Sequence, residues 1–263
     1  MKTNHPMDPN RPGPASPVSG AASPAETRAP YPMPPLLAPT LLEALRHIDS
    51  CTLANAIETF GVRLHNEGFT NGATRCLFPS LRPMIGHAVT VKIRGSSPPM
   101  GARTYLERTD WWAYVKSVPW PRVVVVQDVD PANGHGALLG EVHVNILRAL
   151  GCVGAVTNGA VRDLPAIANL GFQLFAGSLT VSHSYVHIVE FGAPVEIDGL
   201  AIRSGDLLHG DLHGLQSVPP ELVAKLPATA AALAAKEHAL IALCQSGEFT
   251  LEKLRAAVAA QGA

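Results

Sequence analysis

Arg162 and Asp163 stand side by side at the end of a glycine-bearing segment, Asn158-Gly159-Ala160-Val161-Arg162-Asp163, that follows a short apolar run. The guanidinium of such a pair can hold a substrate carboxylate at two points while the neighbouring carboxylate holds a hard metal ion. That combination suits a 2-oxo acid. A metal touching the keto oxygen acts as a Lewis acid and stabilises the enolate left when a carbon–carbon bond breaks. Glu141 would orient the water on that metal, and water of lowered pKa would move the proton. The pair also has a purely structural use, as a salt bridge where a helix starts. Residue type and spacing leave both uses open.

The elements that must bring these residues together can be read from periodicity. Arg122 to Gln127 contains four consecutive valines, which predicts a strand covered on both faces. Residues 137–150 show helical spacing through Leu138, Val142, Ile146 and Leu150 with Gly151 as the stop, and Val153 to Thr157 is a second short strand. The three form a right-handed βαβ unit with parallel neighbouring strands. Ligand sites in such sheets lie beyond the carboxyl ends of the strands, so the loops at 128–140 and 158–163 face one edge, and Glu141 and Asp163 should meet there.

Elsewhere, Thr40 and Glu43 have capping-box spacing for a first helix, and a second is predicted from about Thr52 to Phe60. Val89, Val91 and Ile93 alternate with polar residues, the pattern of a half-buried strand. Phe172 to Ala176 reads as a strand. Val181 to Phe191 reads as another, with His183, Tyr185 and His187 on one face. Asp198-Gly199 joins two short apolar runs as a type I′ hairpin, and 220–245 reads as a long helix. Asp110-Trp111-Trp112 and Trp120 show no regular pattern; their rings are expected to wall a pocket or fill a subunit interface. His135 and His143 flank the predicted site and are candidates for a second substrate carboxylate. Asp206 and Asp211, in glycine-bearing turns, are expected to make turn hydrogen bonds.

Composition narrows the classes. The net charge of −1 offers no field for a polyanion, so nucleic acid is not an expected partner. Cys51, Cys76, Cys152 and Cys244 lack any paired spacing, which argues for reduced, mostly buried thiols rather than zinc or disulfides. No run approaches a membrane span and no basic start precedes an apolar stretch, so a soluble cytoplasmic protein is expected. Only 16% of residues are charged and mean hydropathy is +0.16, apolar enough for oligomerisation to cover the excess surface. Residues 1–37, dense in proline, predict a disordered or extended tail, and 38–263 a single folded domain.

Glu141, 20 intervening residues and then Arg162-Asp163 resemble the acidic-x20-Arg-Asp signature of RraA-like class II pyruvate aldolases, which include 4-hydroxy-4-methyl-2-oxoglutarate aldolase. Gly86-His87-Ala88-Val89-Thr90-Val91 is similar to that family's Gly-x-Ala-x-Thr-Val strand. Gly205-Asp206 with Asp211-Leu212-His213-Gly214 is similar to its pair of turns. The resemblance runs from about Ser50 to Glu237. It implies an α/β fold, a compact domain with mixed β-sheets flanked by helices, assembled as a trimer or hexamer with active sites between subunits. It further implies that Asp163 binds Mg²⁺ or Mn²⁺ directly and that Arg162 holds the pyruvate carboxylate. Glu141, and Glu237 from a neighbouring subunit, would reach the metal through water, while Val142, His143 and Asn158 would help to bind substrate. Retro-aldol cleavage of a 4-hydroxy-2-oxo diacid and decarboxylation of oxaloacetate share one pyruvate enolate, and both are implied. Where characterised aldolases carry an acid on the early helix, this chain has Asn55. Two alternatives stand beside the lyase: a metal-dependent enzyme acting on another carboxylic acid, and a non-catalytic regulator of the kind that inhibits a ribonuclease. Those regulators lack the metal-binding Asp after the Arg.

Overall fold

The computed structural model describes residues 33–99, 108–132 and 134–261. The tail expected at 1–37 therefore lies outside the described residues up to position 32; from Met33 to Ala38 the chain has no helix or strand, and Met33 packs against the core. Helices α1 (Pro39–Arg46) and α2 (Ser50–Glu58) precede strands β1 (Arg75–Cys76) and β2 (Met84–Arg94). Then come α3 (Thr109–Ser117), β3 (Arg122–Asp128), β4 (Ala137–Leu139), α4 (Glu141–Ala149) and β5 (Cys152–Val161). They are followed by α5 (Leu164–Ala168), β6 (Gln173–Leu179) and β7 (His187–Phe191). The hairpins β8 (Val195–Ile197) with β9 (Leu200–Ile202) and β10 (Leu207–Asp211) with β11 (Gly214–Val218) lead to α6 (Leu226–Gln245) and α7 (Leu251–Gln261).

The order β1-β6-β5-β3-β2-β10-β11 makes one mixed sheet, parallel across β2, β3, β5 and β6 and antiparallel at both ends. β4 adds to β5, and β7 adds to β2. Val123 to Val126 of β3 are all fully buried, as a strand covered on both faces must be. One face carries the cluster built from Trp111, Val115, Val144 and Leu147 of α3 and α4. The other is closed by Val195, Ile197, Leu200 and Ile202 of the β8–β9 hairpin. A third cluster seats α1, α2 and the first turns of α6 against Ile85, Leu207 and Val218. The type I′ turn is as expected, with both Asp198 and Gly199 at positive φ.

Several expectations change, each for a local reason. β2 is buried on both faces, because Thr90 finds Ser204 Oγ at 2.8 Å and the buried His87 ring meets the Gly205 carbonyl at 3.1 Å. Thr90 and one nitrogen of His87 thus find partners inside, while Lys92 pairs with Glu190 at 2.8 Å and Arg94 is exposed. α1 begins at Pro39 with no side-chain cap, so the Thr40–Glu43 box does not form; Glu43 instead meets Arg46, His47 and Arg82. α2 starts at Ser50, two residues early, because Asp49 caps it by accepting from the Thr52 amide at 2.9 Å. The segment bearing Trp111 and Trp112 is helical, with Trp111 fully buried against Tyr114 and Phe191. The strand expected over 181–191 is restricted to its last five residues, His187–Phe191, so His183 and Tyr185 lie in the loop before it. The long C-terminal helix starts at Leu226, and a further helix, α7, follows it. Among the cysteines only Cys152 is buried; Cys51 and Cys244 are exposed, contrary to the expected buried thiols. No helix among the described residues is long and apolar enough to cross a membrane.

Candidate active site

The site is built where β5 outruns its neighbour. β3 ends at Asp128, but β5 continues to Val161, and its far half pairs with β4 through Ala137–Ala160 and Leu139–Val161. Residues 137–139, expected to open the helix, are thus a strand, and 158–161, expected to be a loop, complete β5. Asn158 manages the handover. The Asp128 amide donates to Asn158 Oδ1 at 2.7 Å, and Asn158 Nδ2 donates to the Asp128 carbonyl at 3.0 Å, so a side chain extends the β3–β5 ladder by one rung. Both ends of the amide face the scaffold there.

β4 delivers Gly140, the N-cap of α4, and β5 delivers Arg162 and Asp163 beside it. The Arg162 amide donates to the Leu139 carbonyl at 3.1 Å, locking the two strand ends together. Asp163 sits in the left-handed region, φ 60° and ψ 32°, a conformation Asp tolerates better than most side chains. The turn points its carboxylate back at α4, where Oδ2 accepts from the Glu141 amide at 3.1 Å and from Arg162 Nε at 3.2 Å. Asp163 therefore caps a helix from a distant part of the chain. Gly140 makes room for this: a Cβ there would stand 2.7 Å from Asp163 Oδ2 and 3.2 Å from Arg162 Nε. The expected meeting of Glu141 and Asp163 is present, through the Glu141 backbone.

Oδ2 carries both of these hydrogen bonds; Asp163 Oδ1 accepts none among the described residues, on a side chain 35% exposed. The first-turn amides of α4, including Val142 and His143, have no acceptors within the helix and lie at its positive end. Val142 is 62% exposed, whereas the His143 ring is turned inward, Nδ1 against the Leu138 carbonyl at 3.1 Å. Burial pushes that imidazole down to about 4. His143 therefore offers the corner its backbone, not a side chain for a second carboxylate. His135 is exposed on the neighbouring loop.

Carboxylates around this edge organise loops. Asp128 accepts from the Asp130 and Gly134 amides at 3.1 and 2.8 Å; Asp130 accepts from the Gly95 and Ser96 amides at 2.7 and 2.8 Å. Away from this edge, Asp206 takes the Arg203 amide at 2.7 Å and Asp211 the His213 amide at 2.9 Å, the turn bonds expected of them, while Asp211 also takes the amide of distant Ser50 at 2.8 Å. His183 was the residue periodicity misplaced. Val181, two residues before it, meets Arg162 through its carbonyl at 3.5 Å, and the His183 ring feels the charges of both Arg162 and Asp163. No alternation could reveal this, because the approach is made by a loop.

Asn55 and Glu237 lie together on another part of the surface, with Asn55 Nδ2 donating to Glu237 Oε1 at 3.4 Å. Asn55 lines a cavity of about 300 Å³ with Cys51, His65 and His213. A larger one, about 1110 Å³, opens at the opposite end of the parallel strands and contains neither Arg162 nor Asp163; Trp120, 50% exposed, lies there and not at the site. Among the described residues no three His, Cys, Asp or Glu side chains converge as metal ligands.

Comparison with known proteins agrees with this architecture. A protein of Halalkalibacterium halodurans, provisionally named 4-hydroxy-4-methyl-2-oxoglutarate aldolase, is 33% identical over 84 residues, which is 32% of this chain and 40% of that protein. Protein DlpA of Legionella pneumophila is 22% identical over 228 residues, 82% of this chain and 33% of its own length. The chain thus spans less than half of these curated relatives. A solved structure of an uncharacterised protein from Pseudomonas syringae superposes with a TM-score of 0.66 at 24% identity, covering 86% of this chain and 97% of that one, a likeness of fold. The profile of the RraA-like family (Aldolase/RraA) matches residues 50–216, and the chain belongs to that family.

Proposed function

We propose that this chain is a divalent-metal-dependent carbon–carbon lyase that releases pyruvate from oxaloacetate or from a 4-hydroxy-2-oxo diacid. The observation that carries the proposal is the Asp163 carboxylate, fixed through Oδ2 by the Glu141 amide and Arg162 while Oδ1 accepts no hydrogen bond among the described residues. An oxygen so presented fits a hard cation such as Mg²⁺ or Mn²⁺, which Asp163 would hold directly, with Glu141 and a neighbouring copy's Glu237 reaching it through water. When bound, the cation supplies Lewis acidity toward the 2-oxo oxygen, where the negative charge of the pyruvate enolate develops.

The chain's own residues do the rest. Arg162 binds the substrate carboxylate and sets its orientation. The first-turn amides of Val142 and His143 present N–H donors at the positive end of α4, a natural seat for a substrate oxygen. Glu141, exposed on the same turn, orients the water that returns a proton to the product's methyl carbon. Asn158 holds the β3 and β5 ends in register and so positions the corner as a whole.

Asn55 bears on the choice of substrate. Retro-aldol cleavage requires a proton to leave the 4-hydroxyl; decarboxylation does not. A neutral amide where an acid would serve that transfer favours oxaloacetate. The regulatory reading has support in the Streptomyces coelicolor protein RraAS2, described as an unusual member of an RNase ES inhibitor family. It superposes at TM-score 0.61 and 22% identity, over 78% of this chain and 96% of that one, which is a likeness of fold. Asp163, with its open oxygen, favours the enzyme.

The test is pyruvate release from a panel of 2-oxo diacids with Mg²⁺ or Mn²⁺, read through lactate dehydrogenase. Turnover of oxaloacetate that a chelator abolishes is the expected result. Absence of pyruvate from every diacid, together with capture of an RNA-degradation complex, would overturn the proposal.

A further inference from the structure

The cavity of about 1110 Å³ at the amino ends of the parallel strands takes no part in the chemistry at Asp163, yet its lining combines positive charge with a flat apolar surface. We propose that it binds a nucleoside phosphate, with Trp120 stacking on the base and Arg46, Arg82 and Arg148 holding the phosphates. The volume is ample, since small-molecule pockets usually span about 300–1,000 Å³.

The floor is apolar. Leu42 of α1, Met84 and Ile85 at the start of β2, and Cys152 and Val153 at the start of β5 all line it. Trp120 stands at its edge with half of its surface exposed. Gly151 gives the indole its seat, because a Cβ there would lie only 3.1 Å from Trp120 Cδ1. An indole held against backbone on one side and open on another is a stacking surface for a flat ring.

The charge is unbalanced. Glu43 is the one carboxylate among the described lining residues, against three guanidiniums. It is also shared, standing 3.8 Å from Arg46, 3.0 Å from Arg82 and 3.1 Å from the His47 ring. Arg148, in the last turn of α4, adds a charge that no carboxylate among the described residues pairs with. A fourth guanidinium stands behind Gly151, where a Cβ would come within 2.7 Å of Arg122 Nη1. Arg122 donates to the carbonyls of Val118, Leu150 and Lys116 at 2.6, 2.7 and 2.8 Å. Carbonyls satisfy its hydrogen bonds without cancelling its charge, so the positive potential reaches the Trp120 side of the cavity.

These features select one class of molecule together. A bare inorganic anion has no use for the indole or the apolar floor, and an apolar ligand would leave the guanidiniums to water. Planar forks match phosphate oxygens, and a base matches the indole face. Neither Arg162 nor Asp163 lines this cavity, so the inference stands apart from the lyase reading.

The experiment is calorimetric titration of ADP, without divalent metal, into the full chain, with its mass in solution followed by light scattering. The variants are Arg148→Ala, Trp120→Leu, Trp120→Phe and Glu43→Gln. Wild type is expected to bind ADP, and Arg148→Ala to bind it about 10-fold more weakly, the loss typical of a hydrogen bond to a charged group. Trp120→Leu should lose about 10-fold and Trp120→Phe recover most of it, because a ring of either kind stacks. Glu43→Gln should tighten binding about 3-fold by releasing Arg46 and Arg82, a gain that a damaged fold does not produce. A wild type that does not bind ADP overturns the inference, and so does affinity unchanged in Arg148→Ala and Trp120→Leu. Inorganic pyrophosphate binding as tightly as ADP would leave the ring no role and overturn it too. Loss of binding accompanied by dissociation of an oligomer would assign this face to a contact between copies instead.

Discussion

At the scale of the residue, the site depends on two neighbouring side chains doing different things with one contact. Arg162 steadies Asp163 through Nε while one terminal nitrogen makes a long contact with the Val181 carbonyl at 3.5 Å, and Asp163 uses one oxygen to cap α4 while the other accepts no hydrogen bond among the described residues. Arg162→Lys keeps the charge but loses the planar fork, so the Michaelis constant for oxaloacetate should rise about 10-fold with a smaller change in kcat. An unaltered Michaelis constant would remove Arg162 from the binding role. Part of this corner was legible in the residues: an Arg-Asp pair past an apolar strand, with an acid at the start of the preceding helix, predicts their meeting at one sheet edge, although spacing left a structural salt bridge equally open. His183 was not. Its place depends on a loop folding back over Gly136, and spacing carries no information about that return.

At the scale of the element, the site exists because β5 is longer than its sequence suggests. Asn158-Gly159 reads as loop by composition, yet Asn158 substitutes its amide for the missing rung of β3 and the strand continues. Gly159 and Gly177 permit the crowding, since a Cβ on the latter would stand 2.3 Å from the Asn158 carbonyl oxygen. Removing the amide with Asn158→Ala leaves the Asp128 backbone groups without their partners and should cost about 1–3 kcal/mol of stability, measurable in denaturant unfolding. A variant as stable as wild type would mean that water replaces the rung. The same reasoning explains why α3 was missed: Trp111 and Trp112 carry no clean helical stripe, and the helix is fixed by packing of Trp111 on Phe191, a residue the sheet brings close. Periodicity predicted the buried valine strand and the βαβ order, where the pattern is local, and failed where tertiary partners decide.

At the scale of the whole molecule, three buried histidines set the response to acid. His87, His143 and His209 are all pushed down by burial, His143 to about 4. Unfolded, each would titrate near its ordinary value of about 6.5. Between those values the unfolded chain takes up protons that the folded chain refuses, so stability is complete above pH 6.5 and declines as pH falls toward 4. His143 alone should remove about 2 kcal/mol between pH 7.5 and pH 5. Asp130 and Asp211 do not oppose this, because hydrogen bonds outweigh burial and hold both below the usual carboxylate range, ionised throughout the window. Denaturant unfolding at the two pH values checks it; equal stability would contradict the burial of these rings. On α6 and α7, Ile241, Leu251 and Val258 are exposed.

All of this converges on whether the open oxygen of Asp163 receives a cation. The direct measurement is Mn²⁺ binding by calorimetry to wild type and to Asp163→Asn, a change that keeps the left-handed turn and an acceptor for the Glu141 amide. Wild type should bind Mn²⁺ and the asparagine variant should bind it about 100-fold more weakly, or not at all, with its fold intact. Equal affinity in the two proteins would contradict the account.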